Sequence, residues 1–198
     1  MKRRSPLCLA FFAFLLAPAL SFAGSALDTV KTNVNVVLEV LRDPGLKGEK
    51  GLKAKREKIE TLGLKFFDFA ELSKRTLGLS WNQFTLEQRK TFLQLYQSLL
   101  EDTYLDRITA YSDEKLTFLK ETRLSDTTAE VFTTVLARSG EVAISYRLTR
   151  KDGTWRVYDV VIEGVSLINN YRSQFREVLA NGSPQTLIDS LQKKVARK

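Results

Sequence analysis

Near residue 112 the spacing of apolar side chains changes, so no fold built from one kind of secondary structure can satisfy both halves of the chain. Before that point apolar residues recur every three or four positions, the repeat of a helix with one buried face. After it they alternate, the repeat of a half-buried strand. In the first half, Leu27, Val30, Val34, Val37, Leu38 and Leu41 mark a helix over 26–41 that Asp43-Pro44-Gly45 stops. Residues 48–64 carry Lys50, Lys53, Lys55, Arg56 and Lys58 around a thin stripe of Leu52, Ile59 and Leu62, the pattern of an exposed basic helix packed along one edge. The aromatic run Phe66-Phe67-Asp68-Phe69 reads as a connection into a short helix over 70–79, and 80–84 as a break. Thr85 and Gln88 form a capping box that opens a long helix over 86–111, with apolar positions at Phe92, Leu93, Leu95, Tyr96, Leu99, Leu100, Leu105 and Ile108.

In the second half, strands are expected over 115–121, 127–138, 141–150 and 154–162, with turns at Ser139-Gly140 and Asp152-Gly153. Short turns between strands imply an antiparallel sheet. In the last strand Val157, Tyr158, Val160, Val161 and Ile162 put apolar residues on both parities, so the pattern does not say which face is inward. Residues 163–166 leave the sheet. A helix over 167–180 follows, then one from Pro184 to about Ala196 with Leu187, Ile188 and Leu191 inward. The class is α+β: N-terminal helices, a four-stranded antiparallel sheet and two C-terminal helices.

The first residues have the three parts of an export signal: basic Lys2, Arg3 and Arg4, an apolar run from Leu7 to Leu20, and small residues in Ser21-Phe22-Ala23. The run is shorter than the roughly 20 residues that span a bilayer, and Pro18 breaks it. Cleavage is expected before Gly24, leaving 24–198 as one domain in the periplasm. The lone Cys8 departs with the signal, so disulfides cannot hold the mature chain. Losing Lys2, Arg3 and Arg4 takes the net charge from +8 to +5, dispersed along the chain, which argues against nucleic-acid binding.

The chain has no histidine. Without His and Cys it cannot assemble a Ser-His-Asp or Cys-His site or the usual zinc site. It shows no phosphate-binding loop and no calcium loop. The acidic pairs Glu101-Asp102 and Asp113-Glu114 read as solvated surface. Composition therefore favours binding over catalysis.

Several stretches carry a family resemblance. They are Phe67-Asp68-Phe69 with Leu77-Gly78; Thr85 to Arg89 followed by Phe92; Leu100-Glu101 with Tyr104 and Tyr111; and above all 155–167 (Trp-Arg-Val-Tyr-Asp-Val-Val-Ile-Glu-Gly-Val-Ser-Leu), extended by 170–175. The chain resembles the MlaC family, also called toluene-tolerance auxiliary proteins, over nearly its whole mature length. The resemblance implies a periplasmic phospholipid carrier with its acyl chains in an apolar pocket between sheet and helices. It implies partners in an outer-membrane lipoprotein–porin complex and an inner-membrane ABC transporter complex with its substrate-receiving subunit. It implies no metal or organic cofactor, the phospholipid being cargo, and a monomer suffices.

Two acyl chains of about thirty methylenes cost on the order of 20 kcal/mol if left in water, so the pocket needs many apolar walls and few charges. The candidates on the sheet are Phe118, Ile144, Tyr146, Tyr158, Val160 and Ile162. On the first helices they are Phe69, Leu77, Phe92, Leu99, Tyr104 and Ile108, and after the sheet Val165, Leu167, Tyr171 and Phe175. Periodicity alone does not separate a filled core from a hollow one. Asp159 and Glu163 are expected to bind backbone or a basic side chain such as Arg172. Two other readings stand beside the carrier: a chaperone for acylated lipoproteins, and a His-free enzyme using Tyr158, Asp159 and Tyr146 on an apolar substrate. The basic tail Lys193, Lys194, Arg197 and Lys198 reads as a solvated helix end suited to the helix dipole.

Overall fold

Helix α1 (Ala26–Arg42) starts where Ser25 and Asp28 cap each other reciprocally. It is followed by α2 (Gly48–Phe66), α3 (Phe69–Leu77), a 3-10 segment (Gly78–Gln83) and α4 (Leu86–Thr109). Then come β1 (Lys115–Ser125), β2 (Thr128–Ala137), β3 (Gly140–Lys151), β4 (Thr154–Ile162), β5 (Val165–Ser166), α5 (Leu167–Ala180) and α6 (Pro184–Val195). The computed structural model describes residues 24–110, 115–137 and 140–196, the side chain of Ala137 aside. The expected export signal over 1–23, Tyr111, the Asp113-Glu114 pair, Ser139 and Arg197-Lys198 lie outside the described residues.

The strands form one antiparallel sheet in the order β1-β2-β3-β4-β5. It has five strands rather than the four expected. The added strand is short because Glu163 (φ 49°) and Gly164 (φ 78°) turn the chain straight back on β4, as Asp152 (φ 48°) and Gly153 (φ 78°) do between β3 and β4. Two successive positive φ values are the geometry of a tight hairpin turn. Three further boundaries move. Phe66 closes α2 and Phe69 opens α3, so the connection is only Phe67-Asp68. That connection is pinned where the Asp68 N–H donates to the Val157 carbonyl at 2.8 Å. The expected break at 80–84 lies largely within the 3-10 segment. Strand β1 runs on to Ser125, past the residues where its alternation is clear.

The register identifies the two faces of the sheet. Val131 lies opposite Tyr146, which lies opposite Val160, and Thr133 lies between Phe118 and Ile144, which faces Ile162. A bulge interrupts β3–β4: Arg147 pairs with Asp159 and Leu148 with Val157, leaving Tyr158 as the extra residue. The bulge flips the parity of β4, so Trp155 and Val157 before it and Val160 and Ile162 after it share the inner face. This is why both parities of that strand are apolar in the sequence.

Asp159 is 1% exposed, and every acceptor position it uses is filled. Oδ1 accepts from the Ile168 N–H at 3.0 Å. Oδ2 accepts from Ser166 Oγ at 2.7 Å and from Arg147 at 3.2 Å. Arg147 also reaches Glu130 at 3.3 Å, so an ionic row crosses the outer face of the sheet. Ser166 caps α5 in turn, accepting from the Asn169 N–H at 3.1 Å. The expected structural role of Asp159 is therefore seen, but its basic partner is Arg147. Arg172 instead donates to the Arg75 carbonyl at 2.6 Å, and Glu163 accepts from the Ala143 N–H.

Asp159→Ala strips the first turn of α5 of an acceptor and leaves the Ser166 hydroxyl and Arg147 short of a partner. It is expected to destabilise the fold by about 3 kcal/mol, read by urea unfolding. A loss under about 1 kcal/mol would show that the network carries little of the structure.

Candidate functional site: an apolar seam between two layers

A chain of this size ordinarily builds one contiguous core. Among the described residues the buried apolar side chains here fall into three clusters. The first joins α3, α4, α5 and α6 around an aromatic stack. Phe92 lies 5.6 Å from Phe175 and 5.5 Å from Tyr96, and Tyr96 lies 5.2 Å from Tyr171. The second joins α1 and the end of α2 to the inner face of the sheet through Ala26, Val30, Phe66, Ala129, Val131, Leu148, Trp155 and Val157. The Leu27 N–H, donating to Glu121 at 2.9 Å, ties the start of α1 to β1. The third, smaller cluster holds Leu41, Ile59 and Leu105.

Between the first two clusters runs a seam of half-buried apolar side chains. Phe67 packs against both. On the sheet side, Phe118, Tyr146 and Val160 flank the second cluster. Further along the same face, Leu116, Val135, Val142 and Ile144 are half-buried and pack against none of the three. The helical layer contributes half-buried Leu99 and Tyr104 from α4 and Leu167 from the start of α5. Register turns the sheet side chains inward, and Leu116, Val135, Val142 and Ile144 among them belong to no buried cluster.

Tyr146 shows how deep the seam goes. Burial pushes its phenol up to about 12, while its hydroxyl bonds the Thr133 side chain. Part of its surface nonetheless stays accessible. Burial also raises Tyr104, whose hydroxyl meets that of Tyr171, so the helical wall keeps a polar pair at its edge.

The sixteen side chains expected to form the pocket separate into groups. Phe118, Ile144, Tyr146 and Val160 lie on the inner face of the sheet, and Leu99, Tyr104 and Leu167 are half-buried against the first cluster. Leu77, Phe92, Tyr158, Tyr171 and Phe175 sit in the filled first cluster, and Phe69 stacks on Phe67 at 5.6 Å beside it. Ile108 (38% exposed), Ile162 (36%) and Val165 (62%) lie at the open end of the helix and strands. Leu116, Val135 and Val142 were not among the candidates. The pairing of Val142 with Val135 and of Leu116 with Val135 puts them in line with Ile144, and the alternation of β3 was the signal that could have found Val142.

Two concavities lie away from this face. One of about 670 Å³ is lined only by 35–44, the end of α1 and its turn. One of about 560 Å³ between α2, α4 and α6 is lined by Arg56, Glu60, Glu101, Asp102 and Asp106. No group of three or more metal-ligating side chains occurs among the described residues. A Tyr–Asp acid–base pair also fails on geometry. Asp159 is sealed in its network on the face opposite the seam, and Tyr158 lies under the Arg75 guanidinium at 4.1 Å.

The fold and the seam together define a helix-and-sheet protein with a half-buried apolar face beside a filled helical core. The family model described as "MlaC protein" matches residues 31–193. The chain belongs to the MlaC family. It is 25% identical over 139 residues to the intermembrane phospholipid transport system binding protein MlaC of Haemophilus influenzae. That alignment covers 68% of this chain and 65%, just under two thirds, of the relative. The structure matches that of the phospholipid-binding protein from Ralstonia solanacearum in complex with a phospholipid, with a TM-score of 0.77 and 27% identity over 88% of this chain and 98% of that one.

Two predictions separate wall from core. In the ligand-free protein, Phe92→Ala empties a filled site and is expected to cost about 3–5 kcal/mol, whereas Ile144→Ala, half-buried and outside every buried cluster, costs under about 1.5. Equal losses on urea unfolding would contradict the seam. At alkaline pH, burial holds the phenols of Tyr146, Tyr104, Tyr158 and Tyr96 above the ordinary value of 10.0. The unfolded chain ionises first, so stability is complete below pH 10 and falls as the pH rises towards 12. Tyr146→Phe should flatten that fall; an unchanged alkaline unfolding curve would show that Tyr146 is not desolvated.

Proposed function

We propose that this chain is a periplasmic phospholipid carrier that takes up lipid at one membrane complex and yields it at another, with the acyl chains in the seam between the sheet and the helical layer. The observation that supports this reading best is the row of inward-turned, half-buried apolar side chains Leu116, Val135, Val142 and Ile144, which belong to no buried cluster. A carrier has to hide about thirty methylenes, worth on the order of 20 kcal/mol, yet let them go again. An apolar recess with two tyrosine hydroxyls at its edge meets both demands, because nothing in it grips a head group tightly.

The relatives support the cargo. One is named as a phospholipid transport binding protein, and the solved neighbour is described as holding a phospholipid. On this reading residues 1–23 direct export and are removed, and 24–198 work as one non-catalytic unit without a metal or organic cofactor. Its partners are the outer-membrane lipoprotein–porin complex and the inner-membrane ABC transporter complex with its receiving subunit. Among the described residues no helix is long and apolar enough to cross a membrane.

The test is native mass spectrometry of the mature protein from a Gram-negative host, with extraction and identification of what it holds. Near-stoichiometric phospholipid is expected, and Ile144→Trp or Val142→Trp, which fill the seam, should cut it by more than about half with the fold retained. An acylated peptide in place of free lipid would support a lipoprotein chaperone instead. An empty wild-type protein that takes nothing from vesicles would overturn both.

A further inference from the structure

The most exposed large apolar side chain in the described structure lies far from the seam. Leu79 is 90% exposed, and Leu86 is 72% exposed a few residues on. Neither is loosely held. Gly78 takes φ 55° and ψ −128°, a conformation closed to side-chain-bearing residues, and turns the chain out of α3. The 3-10 segment then returns to Phe84, which is buried in the first cluster. Its Trp81 carbonyl accepts from the Phe84 N–H at 3.3 Å and from Arg89 Nε at 3.2 Å. The Thr85 capping box fixes the start of α4. The result is a braced tip that presents two leucines, with the half-buried ring of Trp81 packed on the first cluster beside them and the Arg89 guanidinium 5.0 Å from that ring.

The charge around this tip is mainly positive. Lys74 closes α3, Arg89 and Lys90 lie on the first turns of α4, and the opposing carboxylate, Glu87, is shared with Lys90 at 2.9 Å. A leucine that is 90% exposed stands on a convex point and not in a groove. A specific protein interface needs about 800 Å² per partner, packed around a central pocket, and a convex tip with two leucines does not offer that. Shallow insertion into the head-group region of a bilayer needs only a few protruding apolar side chains, an interfacial Trp and neighbouring cations.

We propose that the Gly78–Leu86 tip is a peripheral docking site for an anionic phospholipid surface. Leu79 and Leu86 enter the head-group boundary, Trp81 sits at it, and Lys74, Arg89 and Lys90 face the lipid phosphates. The tip stands apart from the seam: Tyr104 is eighteen residues along α4 from Leu86, about 27 Å at 1.5 Å per residue. Docking therefore holds the protein at a membrane without covering the recess. The proposal stands independently of the carrier reading.

The experiment is flotation of the mature protein with phosphatidylglycerol-containing vesicles and with pure phosphatidylcholine vesicles, at low and at moderate salt. Lipid held by the protein is measured separately by extraction. Wild type is expected to float with the anionic vesicles, weakly with the neutral ones, and less as salt rises. Leu79→Glu should weaken vesicle binding about ten-fold or more, since burying a leucine is worth that much. Leu86→Glu should act in the same direction, and Leu124→Glu, an exposed leucine on β1, should change little. Both tip side chains are exposed, so folding is not at risk, and bound lipid content should stay at the wild-type level. Wild type that ignores anionic vesicles, or tip variants that bind them normally, would overturn the proposal. So would loss of a protein partner on Leu79→Glu with vesicle binding intact. Vesicle binding that persists in a protein holding no lipid would defeat the carrier reading and leave this one standing.

Discussion

A carboxylate taken out of water costs several kcal/mol unless every acceptor position is used, and the middle of this structure is arranged around one such group. Asp159 sits beside the bulge in β4, holds the first turn of α5, receives the Ser166 hydroxyl and is neutralised by Arg147. The bulge turns Tyr158 and Asp159 together to the outer face, where Tyr158 joins the first cluster, while Val157 and Val160 keep to the inner face. A single irregularity thus lets one strand serve two cores. It joins the filled aromatic cluster under α3, α5 and α6 and also forms part of the wall of the open seam. The shared carboxylate sets the position of α5, and with it Leu167 and Tyr171, relative to that wall.

The division between filled and open regions follows from the two layers. Aromatic rings packed edge to face close the helical core around Phe92, Tyr96, Tyr171 and Phe175. Helix α1 covers the inner face of the sheet near Ala129, Val131 and Leu148. No buried cluster takes in Leu116, Val135, Val142 or Ile144, although the strand register turns all four inward. Apolar surface left open in this way is costly in water, roughly 25 cal/mol for each Å², a cost that the proposed acyl chains would relieve.

Much of this was legible in the residues. The change of period near 112 placed the first helices before the sheet, the Thr85–Gln88 capping box and Pro184 placed two helix starts, and Asp152-Gly153 placed one hairpin. The fifth strand was not legible, because a two-residue strand has no period and Glu163 is an uncommon residue at positive φ. The inward face of β4 was also hidden, since a bulge reverses parity without leaving a compositional mark. Pocket membership was only partly legible. Phe92 and Leu99 lie on the same helix with similar apolar neighbours, yet one is buried and the other only half-buried. That difference depends on which elements fail to meet, and it is set by long-range packing.

Photocrosslinking locates the acyl chains proposed to lie between the sheet and the helical layer. The mature protein would be loaded with a phospholipid bearing a diazirine near the end of one acyl chain, irradiated, digested and sequenced by mass spectrometry. The account predicts adducts on β3 and β4, around Val142, Ile144 and Val160, and on α4 around Leu99. Adducts confined to exposed surfaces such as the end of α1, or to the aromatic cluster around Phe92 and Phe175, would contradict it.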